Sequence, residues 1–199
     1  MSAFVCQPAP NFTASAVMAD GSIQDISLSD YAGQYVVLFF YPLDFTFVCP
    51  SEILAHNSRV AEFKSRGVQV LGVSIDSQFT HAAWRNTATN NGGIGPIGFP
   101  LVADLKHDIV KAYGVAHPQA GVALRGSFLI DKEGVIQHMV INNLPLGRNV
   151  DEMLRMVDAL QFTEEHGEVC PAGWNKGDEG MKPSAAGVAD YLSKHSNDL

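Results

Sequence analysis

One apolar stretch, residues 35–41, sets the strongest limit on what this chain folds into. It reads Tyr-Val-Val-Leu-Phe-Phe-Tyr and contains no polar alternation. A strand that is apolar on both faces is typical of a sheet covered on both sides. A helical pattern over residues 51–66 and a second apolar stretch at residues 68–75 follow it. Strand, helix and strand in this order predict a βαβ unit with two parallel strands.

Shorter elements are predicted on both sides of this unit. In chain order they are a hairpin within residues 9–28, a helix at 80–87, a strand at 99–102, a helix at 104–113, antiparallel strands at 124–131 and 135–141, and a helix from 150 to 167. The order βαβ followed by ββα predicts an α/β chain with a thioredoxin-like fold, an N-terminal hairpin extension, inserted elements and a C-terminal tail. We expect the main domain at residues 1–165 and the tail at 166–199.

The composition of the chain makes some kinds of binding partner unfavourable. The chain has 199 residues, 46% of them hydrophobic and 17% charged, which suits one domain with a substantial core. Its net charge is −8 and Lys and Arg do not cluster, so nucleic acid and anionic membrane surfaces are unfavourable partners. The N-terminal residues lack a signal-peptide pattern, and no run of about 18 apolar residues occurs. We therefore expect a cytoplasmic protein.

The three cysteines favour redox chemistry over a structural role. Cys6, Cys49 and Cys170 are too few for a secreted disulfide framework and lack the paired spacing of a zinc site. Cys49 falls where the helical pattern begins, and the positive end of a helix favours a thiolate. The alternative is a buried cysteine that packs as a small hydrophobe. Cys6 matches no pattern and is interpreted as incidental.

Pro42, Thr46 and Cys49 form the pattern P-x-x-x-T-x-x-C. This spacing resembles the active-site signature of the peroxiredoxins. The resemblance implies that Cys49 attacks the peroxide, that the Thr46 hydroxyl hydrogen-bonds the sulfur and the peroxide oxygens, and that Pro42 shields the thiolate from water. Each of the latter two could instead be an ordinary loop residue, Pro42 as a turn former and Thr46 as a loop hydroxyl.

Three charged residues complete the resemblance. A free thiol has a pKa of about 8.5, so catalysis needs a cation beside the sulfur. Arg125, at the start of a predicted strand, is similar to the family's catalytic arginine, while Glu52 and Arg148 are similar to the residues that hold it in place. Taken alone, Arg125 could be a strand-end arginine that points to solvent, Glu52 a charge near a helix N-terminus and Arg148 a loop charge. Asp44 would repel a thiolate, so we expect its side chain to point outward.

Cys170 is the candidate for the second thiol. The sequence Val-Cys-Pro-Ala-Gly-Trp at residues 169–174 is similar to the resolving segment of typical 2-Cys peroxiredoxins, the branch that includes the bacterial alkyl hydroperoxide reductases. Cys49 begins a helix of the main domain, whereas Cys170 lies on a tail that leaves it. We therefore expect a disulfide between two subunits of a homodimer, and the resemblance implies that dimers assemble as a decamer.

The sequence thus predicts a thiol-dependent peroxidase that reduces hydrogen peroxide and small organic hydroperoxides. Its electron donor would be a thioredoxin or a flavoprotein disulfide reductase. No haem, flavin or metal-ligand pattern is present, so we expect no cofactor and no metal, and the sulfur itself as the redox group. Two alternatives stay open at this point: a thioredoxin-like disulfide exchanger, which normally carries C-x-x-C, and a holdase chaperone.

Overall fold

The computed structural model describes residues 3–196. The chain divides into two compact units, Met1–Val150 and Asp151–Leu199. The predicted separation of a peroxidase domain at residues 1–165 from a tail at 166–199 stays a prediction, since it concerns function as well as packing.

A seven-stranded mixed sheet organises the first unit. Its strands are β1 (Thr13–Val17), β2 (Ile23–Ser27), β3 (Tyr35–Phe40), β4 (Val68–Ser74), β5 (Leu101–Ala103), β6 (Arg125–Ile130) and β7 (Ile136–Asn142). Their order is β2-β1-β5-β4-β3-β6-β7. Strands β3, β4 and β5 run parallel, and the other neighbours are antiparallel. The predicted βαβ unit and both predicted hairpins are confirmed.

The core lies around β3, whose six residues are all buried. Phe40 packs on one face against Phe128 of the neighbouring strand β6, with ring centroids 5.8 Å apart. The fully buried apolar residues of this cluster include Ala16, Leu38, Phe40, Leu71, Val73, Val102, Val110, Val115, Ala123, Phe128 and Ile136. This packing holds the carboxyl end of β3 next to the start of β6, and both of these ends contribute to the site described below.

The helices are α1 (Cys49–Ser58), α2 (Val60–Ser65), α3 (Gln78–Arg85), α4 (Asp108–Ala112), α5 (Val150–His166) and α6 (Ala185–His195). The single helix predicted at residues 51–66 is two helices, because Arg59 leaves the helical conformation (φ −109°, ψ 5°). The residues before it are weak helix formers, and the side chains of His56 and Ser58 hydrogen-bond to backbone carbonyls one turn back.

Helix α4 is shorter than the predicted helix at residues 104–113. Asp104 precedes the helix and accepts hydrogen bonds from the backbone N–H groups of Ile109 (3.1 Å) and Val110 (2.8 Å). His107 stands between cap and helix in the left-handed region (φ 60°). The acidic residue that the pattern placed inside the helix therefore lies before it, and its side chain caps the first turn although His107 occupies the N-cap position.

The second unit consists of α5, an irregular segment and α6. Val169 and Met181 exchange two backbone hydrogen bonds of 2.9 Å each, which close the intervening segment into a loop. Ser184 caps α6 by accepting a hydrogen bond from the Gly187 N–H (3.1 Å). Among residues 3–196, no helix combines the length and apolar character needed to cross a membrane.

Candidate active site

Cys49 is the first residue of α1 and is 1% exposed. The strand β3 ends nine residues earlier, a partly buried loop leads from it to Cys49, and Pro50 occupies the first helical turn, where its missing N–H leaves no bond unmade. The predicted placement of Cys49 at the helix start is confirmed. Burial alone would also fit a packing cysteine, so the side chains around the sulfur decide what it can do.

Thr46 lies directly beside the sulfur. Its Oγ1 is 3.0 Å from Cys49 Sγ and 2.7 Å from the carbonyl oxygen of Leu43. A hydroxyl carries one proton, so the two acceptors share or exchange it. A hydroxyl so placed could donate to a thiolate and then to an oxygen bound at the sulfur. Pro42 is buried in the same loop, and its shielding role stays a prediction.

Arg125 supplies a cation next to the thiol. Its Nη1 donates to Cys49 Sγ at 3.6 Å and to Glu52 Oε2 at 2.6 Å, and its Nε donates to the Leu144 carbonyl at 2.6 Å. The arginine is 3% exposed. It reaches the sulfur because β6, which it begins, pairs with β3. A guanidinium fixed on two further acceptors presents its remaining donors in a set direction.

Glu52 joins the two arginines. Arg148 donates to it three times: from the backbone N–H (2.9 Å) and Nε (2.8 Å) to Oε1, and from Nη2 (2.9 Å) to Oε2. Arg148 Nη1 also donates to the Gly126 carbonyl (2.6 Å) and to Ser127 Oγ (3.0 Å). Burial opposes ionisation of Glu52, but the hydrogen bonds and charge of Arg148 and the charge of Arg125 outweigh it and lower the pKa of the carboxyl.

The charges of this cluster do not balance without the sulfur. Two permanent guanidinium charges face the single carboxylate of Glu52. One positive charge therefore remains in a buried place, where charges are poorly screened. A thiolate at Cys49 would neutralise it, and the same charge could stabilise an anionic leaving oxygen.

Asp44 does not point outward, contrary to the sequence expectation. It is 6% exposed. Tyr41 donates its hydroxyl hydrogen to Asp44 Oδ1 (2.8 Å), and His81 Nδ1 lies 2.7 Å from Oδ2. Burial raises the pKa of the Asp44 carboxyl, although the hydrogen bond and charge of His81 act in the opposite direction. The expectation that Asp44 points outward was wrong because Tyr41 and His81 hydrogen-bond to its buried carboxyl group.

His56 is a neighbour of the site that no sequence pattern singled out. Its ring stacks on Phe39 with centroids 4.0 Å apart, and Arg148 lies over the same phenylalanine at 5.4 Å. The Nδ1–H of His56 donates to the Glu52 carbonyl (2.7 Å). Burial, with the charge of Arg148, lowers the pKa of His56 to about 4, so the imidazole is neutral at pH 7.

The two other cysteines differ in their surroundings. Cys170, in the second unit, is half-buried, and its Sγ donates to the Ala159 carbonyl of α5 at 3.5 Å. Cys6 is exposed, and nothing around it indicates a role. Within the described residues, no group of three or more His, Cys, Asp or Glu side chains is arranged to hold a metal ion.

A thioredoxin-like fold with a buried thiol between a hydroxyl and a guanidinium defines the class of thiol-dependent peroxidases. The chain belongs to the AhpC/TSA family, whose model matches residues 5–139, and the model of the C-terminal domain of 1-Cys peroxiredoxin matches residues 159–194. It is therefore a peroxiredoxin, an enzyme that reduces peroxides through a cysteine thiol.

Individual relatives are similar to this chain over nearly its whole length. Alkyl hydroperoxide reductase C of Buchnera aphidicola is 56% identical over 194 residues, covering 96% of this chain and 98% of the relative. Peroxiredoxin-2 of Cricetulus griseus is 53% identical, covering 98% of each. The reduced 2-Cys peroxiredoxin of Plasmodium vivax superposes with a TM-score of 0.94 at 49% identity, covering 96% of this chain and 98% of that structure.

Proposed function

We propose that the enzyme reduces hydrogen peroxide and small organic hydroperoxides at Cys49 and passes the oxidising equivalent to Cys170. The observation that supports this most directly is the position of the Cys49 sulfur, 3.0 Å from a hydroxyl and 3.6 Å from a guanidinium. Both are donors that an attacking thiolate and a departing oxygen require. Pro42 shields the Cys49 thiolate from water, and Glu52 and Arg148 hold Arg125 in position.

The first step oxidises the sulfur. The Cys49 thiolate attacks the terminal peroxide oxygen, an S–O bond forms and the O–O bond breaks. Cys49 becomes a sulfenic acid, and the other oxygen leaves as water or an alcohol after taking up a proton. As negative charge moves from sulfur to the leaving oxygen, the donors of Arg125 and Thr46 can follow it without moving far.

In the second step, the Cys170 thiol of the other subunit attacks the sulfenic sulfur. An S–S bond forms, the S–O bond breaks, and the proton of Cys170 leaves with the hydroxyl as water. A thioredoxin or a flavoprotein disulfide reductase then supplies two electrons that restore both thiols. The proposed setting of this cycle is the cytoplasm, where such reductants keep thiols reduced.

The proposed assembly is a homodimer, with five dimers forming a decamer. Support comes from exposed aromatic side chains: Phe45 (50% exposed) and Phe47 (97%) lie on the active-site loop, and Phe79 (69%) lies on α3. Large apolar side chains exposed together favour contact with another protein surface.

A coupled assay tests the function and identifies the donor. Purified enzyme is mixed with peroxide and either a thioredoxin system or a flavoprotein disulfide reductase, and NAD(P)H oxidation is followed. We expect turnover with one of the two systems and none from the Cys49→Ser variant. Turnover by Cys49→Ser at the wild-type rate would refute the mechanism, and full in-cell activity of that variant would favour a chaperone.

A further inference from the structure

Strand β6 carries one hydroxyl side chain in an otherwise mostly apolar stretch. All six of its residues are buried, and Phe128, Leu129 and Ile130 belong to the core. Ser127 is 3% exposed, and a buried hydroxyl is unfavourable unless it forms a hydrogen bond. Its Oγ accepts from Arg148 Nη1 at 3.0 Å, so the partner of this hydroxyl belongs to the candidate active site.

The guanidinium of Arg148 is held by two sets of acceptors. Its Nε and Nη2 donate to the Glu52 carboxylate at 2.8 and 2.9 Å. Its Nη1 donates to the Gly126 carbonyl at 2.6 Å and to Ser127 Oγ at 3.0 Å, and both acceptors lie on β6. Arg148 comes from the loop between β7 and α5. Acceptors on different nitrogens fix both the position and the rotation of a planar guanidinium.

The register of the sheet places Ser127 for this contact. Ser127 pairs directly with Phe39 of β3, and the Arg148 guanidinium lies over the Phe39 ring at 5.4 Å. Arg125 lies two residues before Ser127 on β6, and residues two apart in a strand line the same face of the sheet. One face of β6 therefore carries both the arginine that contacts the sulfur and the hydroxyl that holds Arg148.

The position of Arg148 affects the sulfur through Glu52 and Arg125. Glu52 Oε2 accepts both from Arg148 Nη2 at 2.9 Å and from Arg125 Nη1 at 2.6 Å. The same Nη1 of Arg125 lies 3.6 Å from Cys49 Sγ. A shift of Arg148 therefore moves the carboxylate that orients Arg125. Because displacements of about 1 Å can slow a reaction by orders of magnitude, such a shift would slow the attack on the peroxide.

We propose that Ser127 is a positioning residue for the oxidation of Cys49. Its hydroxyl anchors Arg148, and the anchored guanidinium keeps Glu52 and Arg125 aligned with the sulfur. The inference rests on the proposed attack of the Cys49 thiolate on the peroxide and adds no proton transfer to that step. Without the hydroxyl, one N–H of the buried guanidinium loses its acceptor, and Arg148 moves to find another.

Substitution by threonine and by valine isolates the hydroxyl, because these two side chains have nearly the same shape and both suit a strand. Reduced enzyme is mixed with hydrogen peroxide, quenched with an alkylating agent at increasing times, and the remaining Cys49 thiol is quantified by mass spectrometry. We expect oxidation about tenfold slower in Ser127→Val and Ser127→Ala, and within about twofold of the wild type in Ser127→Thr. Ser15→Ala, on β1 with three strands between it and β6, is the control and should match the wild type.

A double-mutant cycle tests whether the effect passes through Arg148. In an Arg148→Gln background, Ser127→Val should slow oxidation by less than about a further twofold, because no guanidinium is left to anchor. A wild-type rate in Ser127→Ala, or equal rates in folded Ser127→Thr and Ser127→Val, checked by circular dichroism, would overturn the proposal. So would the full tenfold effect of Ser127→Val in the Arg148→Gln background. If peroxide leaves Cys49 of the wild type unoxidised, the proposed function itself fails.

Discussion

Arg125 shows how much of the candidate site depends on the shape of one side chain. The guanidinium meets the sulfur and the Glu52 carboxylate from Nη1 and the Leu144 carbonyl from Nε, two nitrogens of one plane. A lysine ammonium is a compact charge and cannot reach three acceptors with that fixed geometry. The arginine therefore contributes direction as well as charge, and both should be visible in kinetics.

Replacing Arg125 with alanine should lower kcat/KM for hydrogen peroxide by roughly two to three orders of magnitude, since a donor that acts on the transition state is lost. The kcat/KM of Arg125→Lys should lie between those of Arg125→Ala and the wild type. Single-turnover oxidation of Cys49, followed by stopped flow, measures the step directly. Arg66→Ala is the matched control, and a decrease of less than fivefold in Arg125→Ala would contradict the assigned role.

Some residues of the site could be predicted from the sequence, and the environment of others could not. Thr46, on the loop, and Cys49, at the start of α1, lie three positions apart, so their spacing predicts the contact, which is observed at 3.0 Å. Asp44 lies on the same loop, but its partner His81 is on another element, so its burial could not be inferred. Residues close together in the chain reveal local contacts, whereas a buried hydrogen bond between distant elements leaves no local pattern.

At the scale of elements, the site exists because α1 and β6 begin at the same end of β3. The first residue of each element supplies a reactive group, Cys49 from the helix and Arg125 from the strand. The elements were predicted with small errors at their ends, because apolar runs mark strands well. The break at Arg59 and the short α4 were missed, since side-chain hydrogen bonds to the backbone decide them.

His56, on α1, should make folding stability depend on pH. Its pKa is about 4 in the folded protein, below the ordinary value of 6.5, so the unfolded chain binds the proton first. Stability is then complete at pH 7 and falls as the pH drops from about 6.5 towards 4. Between pH 7 and 5 the contribution is about 2 kcal/mol.

Urea unfolding at pH 7 and pH 5 tests this, at one protein concentration. His56→Phe replaces the ring with one that fits beside Phe39, Phe63 and Phe99 and cannot take up a proton. The free-energy loss between the two pH values should shrink by about 2 kcal/mol in this variant. An identical loss in both proteins would show that His56 does not control the acid sensitivity.

The Asp104 cap gives a second prediction for an element. Asp104→Ala removes the acceptors of two backbone N–H groups at the start of α4, and should lower the free energy of unfolding by about 1–2 kcal/mol. Asp104→Asn keeps one side-chain oxygen and should lose less. Denaturant unfolding at pH 7 measures both, and equal stability of all three proteins would mean that water replaces the cap.

At the scale of the whole molecule, the exposed aromatic residues are the clearest sign of assembly. Phe47 is 97% exposed on the loop that carries Cys49, so an interface there would lie next to the catalytic thiol. Phe47→Glu places a charge on that surface and should shift the protein from the proposed decamer towards dimers. Sedimentation velocity at several concentrations measures this, with Leu105→Glu, another exposed apolar position, as the control. A decamer that persists in Phe47→Glu would exclude this surface.

The pairing of Cys49 with Cys170 across two subunits can be tested by mixing two inactive proteins. Cys49→Ser and Cys170→Ser, each also carrying Cys6→Ser to prevent stray disulfides, should both lack turnover with the reductase. If the disulfide joins subunits, a mixed dimer contains one intact pair: Cys49 from one variant and Cys170 from the other. After subunit exchange at equal concentrations, random pairing should restore about a quarter of the wild-type turnover. Non-reducing gels of the peroxide-treated mixture should then show a covalent dimer that reductant separates. If the disulfide formed within a subunit, no chain in the mixture would hold both cysteines, so a mixture that exchanges subunits yet stays inactive would refute the intersubunit pairing.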